Sequence, residues 1–501
     1  MIKVLFASTE AIPFMKTGGL GDVSGTLPIA LQKFDINSRL IIPAYAETLR
    51  QISSPKIIAK LFLPGVAGKI NLLETLIPDT SIKVILVDYA PAFSREGNPY
   101  MNNMGQAWDD NAERFALFCR VICEVCMNRV KIKWQPEVVH CNDWQAGLVP
   151  ALLQFEKNPP ASIFTIHNLA YQGVFNRQTF NALSLPSELW HHSALEFHGQ
   201  MSFIKGGIVF ADRINTVSPH YAKEIQTAEF GCGLEGLLQQ RSDELVGIMN
   251  GIDYDVWNPE SDPLIHRRYS ATTLSAKTLC AKTLSGKYEN KRHLLREFAL
   301  SERDDTLLIG TVCRLAEQKG IDIILEFLKN IAHFPMQFCL LGIGDIDYQQ
   351  RLEAIAAKNP EQIAIKICHD ERIAHQIEAG ADVFLMPSHF EPCGLNQLYS
   401  LRYGTVPIVH FVGGLADSVV DTTEKTLADN SATGFVFREP TVAALNETVL
   451  RALHYFQQVD LWQKIMFNGM QQRFDWQTSA AAYLKLYQSA IFKKVESLAM
   501  V

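Results

Sequence analysis

Short apolar runs that alternate with helical patterns restrict this chain more than any other feature. In the first half the runs are residues 2–8, 39–43, 82–88, 138–142, 162–167, 213–218 and 246–250. In the second half they are residues 307–313, 337–342, 363–368, 383–388, 406–411 and 434–437. They are rich in Val, Ile and Leu and lack polar alternation, the pattern of strands covered on both faces. Strands that alternate with helices imply parallel sheets with right-handed crossovers. The fold class is therefore α/β, and 501 residues are too many for one core. Turn signals at Asn250-Gly251 and Asn258-Pro259 divide the set. Two doubly wound domains facing each other across a deep cleft are expected. The polar region 261–290 reads as an excursion before the second domain's first strand, and residues 476–498 read as helix.

In an open α/β sheet, ligands sit outside the carboxyl ends of strands, so the loops there carry the chemistry. Lys16-Thr-Gly18-Gly19-Leu-Gly-Asp22 follows the first run and leads to a helix expected over 23–32. Glycines let backbone approach a ligand, and Lys16 supplies a point charge for an anion. The loop is neither of the common nucleotide fingerprints. Arg314 and Lys319 leave the run 307–313 and together suit a diphosphate. Glu391-Pro-Cys393-Gly394-Leu395 follows the run 383–388, with Pro392 and Gly394 placing a helix start that continues to about residue 402. Glu391 there suits sugar hydroxyls or a cationic reaction centre. Gly413-Gly414 is either an anion cradle or a close helix–sheet contact. His140, Asp143 and Trp144, with His167 and Tyr171, follow two strands and read as a sugar-facing wall, because aromatic faces stack on sugar rings. Each of these loops also has a plain reading as a turn, and a lone histidine is commonly structural.

Composition removes other classes. A net charge of −7 makes polyanion binding a local matter at most, so no nucleic-acid partner is expected. No run approaches the roughly 18 apolar residues of a membrane span, and no leader pattern precedes the first strand. A cytoplasmic enzyme is the expectation. Ten scattered cysteines fit a reducing compartment. Cys119, Cys123 and Cys126 share one helical face and read as core packing. Neither a metal motif nor a dinucleotide fingerprint is present, so no metal and no cofactor are predicted. Separated cations without a metal favour group transfer from a nucleotide-linked donor.

K-T-G-G-L-G-D-V, F-T-I-H-N-L-A-Y-Q-G, M-N-G-I-D, C-R-L-A-E-Q-K-G and F-E-P-C-G-L-N-Q-L-Y-S-L-R-Y-G-T occur in this order along the chain. Together they resemble the bacterial glycogen synthase and plant starch synthase family over essentially the whole length. The resemblance implies two Rossmann-like domains: residues 1–252 on the acceptor side, 253–478 on the nucleotide-sugar side, and 479–501 as a helix returning to the first. It implies a retaining glucosyltransferase that moves glucose from ADP-glucose to the non-reducing end of an α-1,4-glucan and releases ADP. UDP-glucose as donor, or a non-catalytic glucan-binding relative, are the alternatives. Carried over by motif, His167, Glu391, Arg314, Lys319 and Asp143 are the catalytic candidates. Lys16, Gly18, Gly19, Asp22, Asn250, Cys393, Gly394, Leu395 and His369 fall at the donor, and Trp144 and Tyr171 at the acceptor. The two cations of the Arg314–Lys319 loop would stabilise the departing diphosphate as a metal ion does elsewhere. The chain departs from the family pattern at Cys368-His369, where a Gly-aromatic pair is usual. It departs again at Val412, where threonine is usual, and at Gln145, where histidine is common.

Overall fold

Burial on both faces explains why the apolar runs form central strands rather than hairpins. The computed structural model describes residues 1–274, 286–303 and 305–499. The strands are β1 (Ile2–Ala7), β2 (Ile36–Pro43), β3 (Lys56–Leu61), β4 (Ile70–Leu76), β5 (Lys83–Asp88), β6 (Val138–Asn142), β7 (Ala161–Ile166), β8 (Val174–Phe175), β9 (Glu196–Phe197), β10 (Gln200–Ser202), β11 (Arg213–Thr216), β12 (Leu245–Gly247), β13 (Leu307–Leu315), β14 (Met336–Gly344), β15 (Ile363–Ile367), β16 (Val383–Met386), β17 (Val406–His410) and β18 (Phe435–Phe437). Among the described residues they form sheets in the orders β12-β11-β7-β6-β1-β2-β5-β4-β3, β8-β10-β9 and β15-β14-β13-β16-β17-β18.

The chain divides into one unit of Met1–Gly251 with Trp476–Val501, and a second of Ile252–Asp475. In the first unit β1 pairs in parallel with both β2 and β6, so the strand order reverses between β1 and β6. In the second, β13 lies between β14 and β16, and the reversal falls between β13 and β16. These reversal points open crevices at the carboxyl ends of the strands.

Two features differ from the sequence expectation. Strands β3 and β4 form an antiparallel edge next to β5, and the small antiparallel sheet β8-β10-β9 was not foreseen either. β3 and the small-sheet strands β8 and β9 are exposed or only partly buried, and β4 is interrupted by Asn71, Glu74 and Thr75, so none registers as a buried run. The region 261–290 belongs to the second unit and includes part of the helix Gly286–Glu297, while its residues 275–285 lie outside the described residues.

The helix Trp476–Ala499 joins the first unit's core through Trp476, Ala480, Tyr483, Leu486, Tyr487 and Ala490, spaced to share one helical face. Its tyrosines also meet a buried polar chain. The Tyr487 hydroxyl donates to His140 Nδ1 at 2.9 Å, and His140 Nε2 donates to Thr165 Oγ1 at 2.5 Å. Thr165 Oγ1 donates to Asn215 Oδ1 at 2.6 Å, and Asn215 Nδ2 to the Tyr483 hydroxyl at 3.1 Å. Burial holds the His140 pKa well below its usual range, so the imidazole is neutral. His140 is therefore a structural residue, not part of a sugar-facing wall. Cys119, Cys123 and Cys126 are buried in the helix Asn111–Cys126, and burial pushes their thiols up, Cys119 to about 12.

In the second unit the segment after Ile252 is tied down by one charged group. Trp257 is stacked between His375 and Tyr399, each ring 3.8 Å away. Asp262 Oδ2 accepts from His375 Nδ1 at 2.7 Å and from the Tyr403 hydroxyl at 2.6 Å. Burial opposes a charge on His375, but the hydrogen bond and charge of Asp262, aided by Glu371, outweigh it and push the imidazolium up to about 9. The unfolded value is about 6.5. The stabilisation is thus fully present below about pH 6.5 and is lost as pH rises from there through about 9. The thermal midpoint of the full chain falls across this window, by the equivalent of about 2–3 kcal/mol. His375→Gln flattens that fall; an equally steep fall in the variant would contradict the assignment.

Candidate active site

The second unit's crevice is built by two loops that touch. Arg314 is still within β13, with its side chain exposed, and Lys319 ends the short helical turn Glu317–Lys319. Gly320 follows with φ +68, and a Cβ there would stand 2.1 Å from the Pro387 carbonyl oxygen. Only glycine allows this turn to lie against the chain leaving β16. His389 N donates to Gln318 O at 2.9 Å, and Gln318 Nε2 to Phe390 O at 3.2 Å. The contact brings Lys319 Nζ to 2.5 Å from Glu391 Oε2, an oxygen that also accepts from Ser388 Oγ at 3.0 Å. Glu391 is 6% exposed. A buried carboxylate held by a cation and a hydroxyl spans the reversal point of this sheet.

The helix expected from Pro392 begins at Asn396 and runs to Tyr403, so Glu391 is not in its first turn. Gly394, at φ +68, delays the start, and Leu395 is the N-cap. Asn396 Nδ2 donates to Val312 O at 2.7 Å and fixes the helix onto β13. Cys393 is buried, and Gly394 and Leu395 are partly exposed. Gly413 and Gly414 are explained by close approach: a Cβ on either would stand 2.0 Å from the carbonyl oxygens of Glu391 and Cys393, respectively. Val412 is an N-cap without a side-chain hydrogen bond; Gly414 N donates to Glu391 O at 3.1 Å instead. His369 lies exposed after β15 and has no hydrogen bond to the other candidates.

In the first unit the K-T-G-G loop is organised by Glu10, a residue the sequence analysis missed. Glu10 accepts from Thr17 N at 2.5 Å, Thr17 Oγ1 at 2.6 Å, Gly18 N at 3.1 Å and the Tyr100 hydroxyl at 2.5 Å. Gly18 is the N-cap of a helix over Gly19–Gln32, which starts earlier than the expected 23. A buried acid serving loop amides leaves no periodicity in sequence, so nothing marked it. Lys16 is exposed and pairs with Asp22 at 2.8 Å.

Next to this loop, beyond β6, Asp143 has φ +55, a conformation rare for a residue with a side chain. The bend turns its carboxylate back onto the chain after β7. Oδ1 accepts from His167 N at 2.8 Å and Asn168 N at 3.3 Å. Burial pushes the Asp143 carboxyl up to about 7, opposed by those two N–H groups. His167 Nε2 faces Asn142 Oδ1 at 2.9 Å, while Asn142 Nδ2 is used by Ala7 O and His140 O. Nε2 is therefore the donor, and Nδ1 keeps its lone pair. Burial lowers the His167 pKa to about 3, so the ring stays neutral. Trp144 packs edge-on to Phe115, and a Cβ on Gly173 would stand 2.3 Å from its ring. Trp144, Tyr171, Trp108 and Phe175 line a groove of about 560 Å³, with Tyr171 49% exposed. Asn250 is buried, and its Oδ1 has no hydrogen-bond partner; the same holds for Gln145 Oε1.

Residues 3–240 match the model of the starch synthase catalytic domain, and residues 296–458 that of glycosyl transferases group 1. The chain is 49% identical over 491 residues to glycogen synthase 2 of Nitrosococcus oceani, covering 98% of both proteins. It is 49% identical over 490 residues to glycogen synthase 1 of Methylococcus capsulatus, covering 98% of this chain and 97% of the other. The chain belongs to the glycogen synthase family. The catalytic domain of starch synthase IV from Arabidopsis thaliana, bound to ADP and acarbose, superposes with a TM-score of 0.86 at 29% identity, covering 98% of this chain and 99% of that one.

Within this glycogen synthase fold, the structure joins Lys319 to Glu391 in the second unit. In the first it joins Asp143 to the backbone of His167, and Lys16 to Asp22. Glu10 holds the Lys16–Gly18 loop through three bonds to Thr17 and Gly18. Glu10→Ala is expected to speed amide exchange at Thr17 and Gly18 at least 10-fold, with the first unit otherwise protected. Unchanged exchange there would show that the loop is held by other contacts.

Proposed function

We propose that this chain is a retaining glucosyltransferase that moves glucose from ADP-glucose to the non-reducing end of an α-1,4-glucan and releases ADP. The observation that carries the reading is the Lys319–Glu391 pair at the reversal point of the second sheet, in a chain of this family. Cleaving the donor bond adds negative charge to the departing diphosphate and positive charge to the sugar ring. Lys319 and Arg314 are assigned to the diphosphate, because fixed cations stabilise that charge more in the transition state than in the ground state. Glu391 is assigned to the face of the transferred glucose, where its carboxylate holds Lys319 and answers the ring's positive charge.

His167 is assigned to the glucose hydroxymethyl group, which its free Nδ1 accepts as a neutral ring. Asp143 positions His167 through the backbone. Asn250 Oδ1, a buried acceptor without a partner, suits a glucosyl hydroxyl. Lys16, Gly18, Gly19 and Asp22 are proposed as donor-side residues, together with Cys393, Gly394 and Leu395. His369, exposed after β15, is proposed to face the nucleotide base. Trp144 and Tyr171 are assigned to the glucan acceptor, on the groove they line. Retention is proposed to proceed by attack of the acceptor 4-hydroxyl on the face the diphosphate leaves, with the departing phosphate taking the proton. No helix among the described residues is long and apolar enough to cross a membrane, and a cytoplasmic enzyme is the finer reading.

The second reading keeps the chemistry and changes the donor to UDP-glucose; it rests on Cys368-His369 standing where the family has a Gly-aromatic pair, and on Val412. Glycogen-dependent release of ADP, with ADP-glucose outcompeting UDP-glucose, is the expected assay result. Preference for UDP-glucose would favour the second reading, and no turnover with either would overturn both. Glu391→Ala is expected to lower kcat at least 10³-fold while glycogen binding is retained. Wild-type activity in that variant would end the catalytic assignment.

A further inference from the structure

A second cavity in the first unit, of about 500 Å³, is lined by Lys16, Tyr45, Arg50, Arg95, Asn98 and Arg114, among others. Its floor holds an unusual cation. Arg114 is 2% exposed, and its guanidinium donates to neutral oxygens alone: Nε to Ala92 O at 2.7 Å, Nη1 to Pro99 O at 2.9 Å and to Asn111 Oδ1 at 2.7 Å. The rings of Phe93, Trp108 and Phe115 lie 5.3–5.9 Å from it and ease its burial. No carboxylate among the described residues forms an ion pair with it. Asp110 feels its charge but is held by both terminal nitrogens of Arg95, at 2.7 and 2.5 Å. A buried guanidinium without an anion is costly to maintain.

Beside it is a hydroxyl without a partner. Tyr45 is 4% exposed, its ring is edge-on to Phe93 at 6.0 Å, and its hydroxyl is buried with no hydrogen-bond partner. Burial pushes this phenol far above its usual range, with Arg114 acting the other way, so it remains a hydroxyl able to donate. Arg50 adds an exposed guanidinium from the same side. The Asn98 Oδ1 is used by Tyr100 N and Met101 N, which leaves its amide nitrogen for a ligand. The inner wall is thus rich in donors and in positive charge, and the exposed Glu47 and Glu96 stand on the rim as acceptors for hydroxyls.

We propose that this cavity binds a small phosphomonoester: its oxygens on Arg114, Tyr45 and Arg50, its hydroxyl-bearing remainder toward Glu47 and Glu96. Donors arriving from several sides suit the tetrahedral oxygens of phosphate better than a planar carboxylate, which one guanidinium fork can satisfy. The site shares Lys16 with the donor-side residues proposed above; its other ligand-facing residues have no role assigned there. Occupancy would therefore bear on the loop that Glu10 organises.

The test is calorimetric titration of the full chain, saturated with ADP, with inorganic phosphate, glucose 1-phosphate and, as a carboxylate control, malonate. The expected result is one site per chain for the two phosphates, none for malonate, and tighter binding of the sugar phosphate. Tyr45→Phe removes only a hydroxyl that has no partner and is expected to weaken binding about 10-fold. Arg50→Gln, on the surface, is expected to weaken it several-fold and to flatten the salt dependence. Both variants are expected to keep ADP affinity. Equal binding of malonate, no phosphate binding to the ADP-saturated chain, or unchanged affinity in both variants would each overturn the proposal.

Discussion

The ion pair between Lys319 and Glu391 depends on the topology of the second sheet and in turn organises its crevice. Two strands adjacent in space but distant in sequence, β13 and β16, end side by side because the strand order reverses there. A left-handed glycine at 320 presses one loop against the other. The lysine and glutamate then meet at 2.5 Å with Ser388 completing the carboxylate's shell. Burying such a pair gains little stability by itself, because desolvation offsets the attraction. Under the function proposed above, its arrangement is preorganisation: both charges are fixed before any ligand arrives, so no reorganisation is needed as charge develops.

The first unit uses burial differently. At its reversal point the buried acids are aimed at backbone, and the ion pair there, Lys16–Asp22, is exposed at the lysine. Glu10 holds the amides of Thr17 and Gly18, and Asp143 those of His167 and Asn168. Asp143 adopts a strained backbone to do so, a cost of order 1–3 kcal/mol that persists only where the surroundings dictate it. Beneath both, the chain from Tyr487 through His140 and Thr165 to Asn215 ties β6, β7 and β11 to the helix Trp476–Ala499. The strands that carry Asn142, Asp143 and His167 are thereby braced from the end of the chain.

Much of this was legible in sequence. The buried parallel strands announce themselves as short aliphatic runs, and the loops after them contain Lys16, Asp143, His167, Lys319 and Glu391. Features that depend on three dimensions were not legible. Glu10 looks like any acid after a strand until its four partners are seen. The edge strand β3 is largely exposed, and the polar residues Asn71, Glu74 and Thr75 interrupt the aliphatic run of β4. The helix start after Glu391 moved because Gly394 acts through a left-handed backbone angle and not through composition. His140 read as a wall residue because burial of a polar side chain is invisible without its partners. The Gly413-Gly414 pair could be decided only by measuring what a Cβ would strike.

The central claim is that the charge of Lys319, held by Glu391, acts on the transition state. The direct measurement is kcat and KM for ADP-glucose, with saturating glycogen, in Lys319→Met and Lys319→Arg. Lys319→Met is expected to lose about 10²–10³-fold in kcat with KM changed by only a few-fold, and Lys319→Arg to recover part of the loss. A raised KM with kcat unchanged would mean that the lysine merely binds the donor, and would contradict the claim.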